Sequence, residues 1–284
     1  MRKPYRYVLF VILALGMFVP SACNKAAQEN GKENQQNLLD LLNAEDKLYQ
    51  DLTIRSQYKG KQMTYSVWLP NGYDPTQAYP FLYLLHGYEY GNQEHLDRYW
   101  VEKGNAREIA RAYLREGGVP MVIIMPNGLS DFYIGFQNQD YERYFHQELM
   151  PQVEKSFNCN GKRAVAGLSM GGFGTLYYAL TYPEKFCYAY AMSPATSMSM
   201  FDISLDVMTG KAAALANVNP HPDFTIEVGE QDSVVSNADA AILSDAINSV
   251  AHCEWISRSG AHTWDFWQEC LPKALNKVGE SFSK

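Results

Sequence analysis

The 284-residue chain has no run of four consecutive Lys or Arg residues, and its 24 basic side chains are outnumbered by 31 acidic ones, for a net charge of −7. Phosphate backbones are held by clustered cations, so this composition argues against a nucleic-acid partner. Neither Cys-x-x-Cys nor His-x-x-x-His occurs among the five Cys and six His. The spacings that hold zinc are therefore missing, and no metal or other cofactor is expected. Residues 8–19 form an apolar run of only 12 residues, short of the roughly 20 that a membrane-spanning helix needs. Gly (20) and Pro (13) are at ordinary levels, which excludes collagen-like and low-complexity chains. With 46% hydrophobic residues the chain is not intrinsically disordered, and it is long enough to bury a sizeable core without covalent staples.

What is present begins with a basic start (Arg2, Lys3, Arg6), the short apolar run, and the small residues Ser21 and Ala22 before Cys23. This order reads as an export signal. It resembles a bacterial lipoprotein signal, in which the Cys becomes the lipidated first residue, although Pro20 stands where such signals usually carry an aliphatic residue. The expected organisation is a signal over 1–22, a polar tether over 23–37 with almost nothing to bury, and one folded domain over 38–284. Removal of the leader takes three cations and leaves a more acidic body, so the membrane would be reached only through the lipid. Cys159, Cys187, Cys253 and Cys270 could pair in an exported protein or stay as buried thiols, and the sequence leaves both open.

Within the domain, the β-prone runs LTIRSQY and MTYSVWL flank Lys59-Gly60-Lys61 and predict an edge hairpin. Continuous apolar runs follow at FLYLLHG, MVIIM, RAVAGL, FCYAYAM and FTIEVG, with CEWISR as a last strand. Helical stretches are expected near 105–116, 140–157, 171–181 and 237–250, and from 264 onward. Strands buried on both faces and alternating with helices imply an α/β fold, a mostly parallel sheet covered on both sides.

One strand runs directly into Gly167-Leu168-Ser169-Met170-Gly171. A Gly-x-Ser-x-Gly sequence between strand and helix makes a tight turn that presents Ser169, and the following helix points its N-terminus at the site. The base expected for such a Ser is His262, in a loop beyond the last strand. His86 lies before the Ser in sequence and is expected to shape its own turn, whereas His95, His146, His221 and His252 read as surface residues. Asp232, at the end of the strand before the His strand, is preferred as the orienting acid over Glu230 and Asp265, the latter suited to a helix start. The oxyanion donors expected are the backbone N–H groups of Met170 and Tyr88, with Gly87 the alternative to Tyr88. The aromatic loop 127–137 offers Phe132, Tyr133 and Phe136 either to stack on a flat or sugar ring in a cleft or to pack beneath the loop, and the sequence leaves both open.

The segments GLSMGGFGTLYYALTYPEKF, LYLLHG, GEQD and GAHTWDFW together resemble the esterase D / acetylxylan and feruloyl esterase group of the α/β-hydrolase superfamily. That resemblance spans roughly residues 50–280. It implies cleavage of carboxylic esters by a Ser-Asp-His triad at Ser169, Asp232 and His262, with acetyl or feruloyl groups on plant polysaccharide, or a broader range of short acyl esters, as substrates, and a substrate contact at Trp264. S-formylglutathione hydrolases share the Ser turn but are cytosolic, which the export signal disfavours. Mycolyltransferases keep acyl transfer open, and a glycan-binding lipoprotein without activity is the non-enzymatic alternative.

If Cys23 is lipidated, mass spectrometry of the mature protein will find a modified N-terminal peptide beginning at residue 23, and Cys23→Ala will lose membrane partitioning. An unmodified peptide starting elsewhere would mark the domain as freely soluble.

Overall fold

Six buried residues in a row make β3 (Tyr79–Leu85) the centre of the sheet. No polar side chain interrupts it, so it can be satisfied only by neighbouring strands on both edges and packed layers on both faces. The computed structural model describes residues 45–135 and 140–284. The leader, the tether with Cys23, and Phe136 lie outside the described residues. Of the domain expected over 38–284, Glu45–Lys284 forms one compact unit.

The hairpin forms as the sequence predicts. β1 (Lys47–Arg55) and β2 (Gln62–Leu69) pair antiparallel, Arg55 opposite Gln62, with a bulge between Tyr49 and Leu52. β2 then pairs antiparallel with β4 (Val122–Pro126). From β4 onward the sheet is parallel, through β5 (Cys159–Leu168), β6 (Tyr188–Met192), β7 (Asp223–Gly229) and β8 (Cys253–Arg258). The eight strands stand in the order β1-β2-β4-β3-β5-β6-β7-β8. β5 starts earlier than its apolar run, because its first residues project from the buried part of the sheet and only Ala164–Leu168 are enclosed.

Helices cover both faces: α1 (Ala106–Arg115), α2 (Met150–Ser156), α3 (Met170–Thr181), α4 (Leu205–Ala214), α5 (Asn237–Asn248) and α6 (Trp264–Ser283). Two points depart from expectation. The single helix expected over 140–157 is a turn at Tyr141–Arg143, a π-helical stretch at Tyr144–Leu149, and then α2. Pro151 has no N–H to continue the regular ladder, and the wider turn stacks His146 on Tyr182 and Tyr178, 4.3 and 4.6 Å away. Both ring nitrogens of His146 are buried, so it is a packed residue and not a surface one. The helix α4 was not expected from the sequence. It is capped by Ser204, whose hydroxyl accepts the Val207 N–H at 3.2 Å, and it buries only Met208 and Ala212.

The four described Cys are all free thiols, with Cys253 and Cys270 buried. Burial pushes the Cys253 thiol up to about 11, so it stays protonated.

Two buried polar groups fix the ends of the strands that carry the site. Glu227 on β7 is fully buried and accepts from Tyr190 Oη (2.5 Å), Arg258 Nε (2.5 Å) and Lys273 Nζ (2.6 Å), tying β6, β7, β8 and α6 together. Removing one partner of such a buried charge costs about 3–5 kcal/mol. His86, just past β3, spans two turns: its Nδ1–H donates to the Gly87 carbonyl at 2.6 Å and its Nε2 accepts the Gly128 N–H at 2.7 Å.

Burial pushes His86 down to about 4. An unfolded imidazole titrates at about 6.5, so between the two values the unfolded chain binds a proton that the native chain refuses. Stability should therefore fall as pH drops from about 6.5 toward 4, by up to about 1.4 kcal/mol per pH unit for this group. His146, pushed down to about 3 by burial and Lys185, adds with the same sign. Urea unfolding across this range will show the slope, and His86→Asn should shallow it. A wild-type curve flat from pH 6.5 to 4.5 would contradict the assignment.

Candidate functional site

The carboxyl ends of β5, β7 and β8 converge on one point. Ser169, between β5 and α3, has φ 53° and ψ −114°, a backbone state that L residues seldom adopt. It is held there by its own N–H, which donates to the Met192 carbonyl at 2.9 Å, and by its carbonyl, which accepts the Phe173 N–H at 2.9 Å. Glycine on both sides is required by space: a Cβ at Gly167 would lie 2.5 Å from the Gly171 carbonyl oxygen, and one at Gly171 would lie 2.4 Å from that of Leu85.

His262 lies in the loop between β8 and α6. Its Nε2 is 2.9 Å from Ser169 Oγ, and its Nδ1 is 2.7 Å from Asp232 Oδ2. Asp232 follows β7, and its side chain is fully enclosed. Burial acts to raise its pKa, but the hydrogen bonds from His262 and the Val234 and Val235 amides outweigh burial and hold it below the ordinary value. The carboxylate is thus ionised and can only accept, so Nδ1 carries the imidazole proton and Nε2 is left as acceptor for the Ser169 hydroxyl. The structure brings together the three side chains singled out from the sequence. Asp265, the rival acid, is exposed in the first turn of α6.

Met170 opens α3, so its N–H belongs to the first turn, where no intrahelical acceptor exists. Tyr88 stands in the turn after β3 and lines, with Ser169 and His262, a cavity of about 250 Å³. Tyr99, Trp264 and Trp267 complete the far wall. Three indoles are stacked edge to face, Trp100 on Trp264 (5.5 Å, 89°) and Trp264 on Trp267 (5.4 Å, 90°), and Trp267 meets His262 at 4.9 Å and 87°. Trp100 Nε1 donates to the Leu85 carbonyl at 3.0 Å. Trp264 lines the cavity but is also the middle of this array. No local sequence pattern announces Trp100 or Tyr99 as part of the site, because their partners lie far along the chain.

The aromatic loop divides. Phe132 is half-buried and packs on Tyr88 (5.8 Å) and on Phe173 of α3 (6.1 Å). Of the two courses open to Tyr133, lining a cleft or packing beneath the loop, it takes the second and is fully buried. Its hydroxyl donates to the His86 carbonyl at 3.0 Å, and its own carbonyl accepts from Tyr178 Oη at 2.5 Å. Tyr133 thus supports the loop from beneath, whereas Phe132 packs on Tyr88, which lines the cavity.

Residues 56–278 match the Esterase family. An endo-1,4-beta-xylanase/feruloyl esterase of Xylanibacter ruminicola is 35% identical over 243 residues, covering 81% of this chain and 31% of its own. The chain thus spans about a third of the length of that relative. YjcH of Bacillus subtilis is 22% identical over 242 residues, covering 81% of this chain and 96% of its own. Among solved structures, a ferulic acid esterase superposes with a TM-score of 0.73 at 24% identity, over 84% of this chain and all of its own. An S-formylglutathione hydrolase of Staphylococcus aureus does so with a TM-score of 0.63 at 19% identity, over 83% and 99%. With the α/β-hydrolase fold shared with these structures and the family match running through most of its length, the chain belongs to the esterase family.

Proposed function

We propose that the protein is a serine carboxylic-ester hydrolase that removes acyl groups, acetyl or feruloyl, from plant polysaccharide. The observation that carries this reading is the hydrogen-bonded chain from Ser169 Oγ through His262 to the ionised Asp232. Its Nε2 acceptor faces a hydroxyl that becomes nucleophilic only as it loses its proton.

The reaction runs in two steps. His262 Nε2 takes the Ser169 proton as Oγ attacks the ester carbonyl, and Asp232 stabilises the imidazolium and fixes its orientation. The N–H groups of Met170 and Tyr88 face the oxyanion, aided by the N-terminus of α3. His262 then protonates the departing alcohol, and Ser169 keeps the acyl group. Water attacks that acyl-enzyme and gives up its proton to His262, which passes it to Ser169 Oγ as the bond to the acyl carbon breaks, releasing the acid and restoring the enzyme. The sugar-ester substrate is supported by the similarity to a xylanase/feruloyl esterase, and export with a lipid at Cys23 would place the enzyme on the cell envelope. Among the described residues no helix is long and apolar enough to cross a membrane, so any anchoring would rest on that lipid.

Purified protein should hydrolyse p-nitrophenyl acetate and methyl ferulate, and Ser169→Ala should abolish both. Asp232→Asn should keep the fold and lower turnover by about 10⁴, the cost of the equivalent change in a serine protease. Loss of activity in Asp265→Asn with a near-normal rate in Asp232→Asn would overturn the choice of acid. No turnover of any ester by the wild type would leave a glycan-binding protein on a hydrolase fold.

A further inference from the structure

Tyr90 is 86% exposed and Tyr88 42% exposed, one residue apart on the loop that leaves β3. Scattered surface aromatics are ordinary, but these two belong to a continuous strip. The Tyr90 ring packs on Tyr88 at 4.8 Å, Tyr88 on Phe132 at 5.8 Å, and Phe132 on Phe201 at 6.4 Å. Tyr88 is shared: it is one end of the catalytic cavity and the middle of this strip. On one side of Ser169 the cavity is walled by the interlocked rings of Trp264 and Trp267, and from Tyr88 the strip runs out to solvent.

The strip is also held in place. Ser130 Oγ donates to the Glu89 carbonyl at 2.8 Å and accepts the Glu89 N–H at 3.3 Å, joining the two loops that carry the rings. Leu129, Phe132 and Tyr133 all have φ between 51° and 62°, a costly backbone for non-glycine residues, and the ion pair of buried Lys59 with Asp131 and the Tyr133 anchors hold it. A strained loop that fixes Phe132 against Tyr88, itself on the cavity that holds Ser169, is preorganised and has little freedom to lose on binding.

We propose that Tyr90, Tyr88 and Phe132 form a binding platform for the sugar chain of an uncharged, acylated polysaccharide, whose acyl group enters the cavity at Ser169. This rests on the esterase reading above. Aromatic faces offer wide apolar contact with little entropy to lose, which suits the C–H faces of pyranose rings. Residues 87–94 carry no Lys or Arg, and Glu89 is paired with Lys103 Nζ at 3.3 Å, so the loop itself offers no cation to a polyuronate or an anionic lipid and suits a neutral chain.

The test compares wild type, Tyr90→Ala and Tyr90→Trp on methyl ferulate and on a feruloylated arabinoxylo-oligosaccharide. In Tyr90→Ala, the ratio of kcat/KM for the oligosaccharide over that for the methyl ester should fall about three- to tenfold, through KM, and Tyr90→Trp should restore it. Separately, titration of unacylated xylo-oligosaccharide into the inert Ser169→Ala protein should show binding that a second Tyr90→Ala change weakens by a similar factor. Equal effects on both esters, no effect on either, or a preference of the inert protein for oligogalacturonate or anionic vesicles would overturn the platform. A wild type that turns over no ester while still binding xylo-oligosaccharide through Tyr90 would remove the hydrolase reading and leave the platform standing.

Discussion

The site depends on a place where side chains are not allowed. The first turn of α3 lies directly on the end of β3, with Gly171 against the Leu85 and His86 carbonyls and Gly167 against Gly171. At Gly87, one residue further on, a Cβ would meet the end of the Leu168 side chain, 2.6 Å from its Cδ1, and not backbone. The backbone-on-backbone contact at Gly167 and Gly171 holds Ser169 in its unusual conformation, since relaxing its φ would push the helix into the strand. It also brings the turn after β3 beside the first turn of α3, so the two candidate oxyanion donors lie near the Ser as a product of packing. The approach of the His262 loop repeats the device, with a Cβ at Gly229 only 2.3 Å from the Gly260 carbonyl oxygen.

Much of this is legible in the sequence because it is local or nearly so. A buried strand running into Gly-x-Ser-x-Gly and then a helix has few structural solutions, and the ends of the last two strands, β7 and β8, supply the partners for the Ser. What the sequence hides is decided by contacts between distant segments. Tyr133 reads like Phe132, and only the positions of His86 and Tyr178 determine that one ring goes under the loop and the other beside the site. The helix α4, with Gly210 inside it and two buried residues, carries too weak an apolar stripe to be seen. His146 looks like a solvated residue until the π-helical stretch turns it onto Tyr182 and Tyr178. The array Trp100–Trp264–Trp267 joins residues more than 160 positions apart, beyond the reach of any local pattern.

Charge is treated in two ways around the site. Glu227 is sealed in with three donors and serves to position β8 and α6, on either side of the His262 loop. Asp232 is also sealed, but its partners are one imidazole and two backbone amides, so it remains available to stabilise a proton on His262. The difference is geometric: a carboxylate surrounded by fixed cations is neutralised permanently, whereas one facing a His is matched to a charge that comes and goes.

The indole array has a mechanical consequence. Through Trp100 Nε1 and the Leu85 carbonyl it is fastened to the strand that leads to the oxyanion turn, and through Trp267 it reaches the ring of His262. Swinging out either loop would part a perpendicular ring contact worth about 0.5–1.5 kcal/mol, which couples the two by an amount of that order. The array thus links the loop that carries the proton acceptor to the turn expected to cradle the anion, so that what loosens one of them weakens the support of the other.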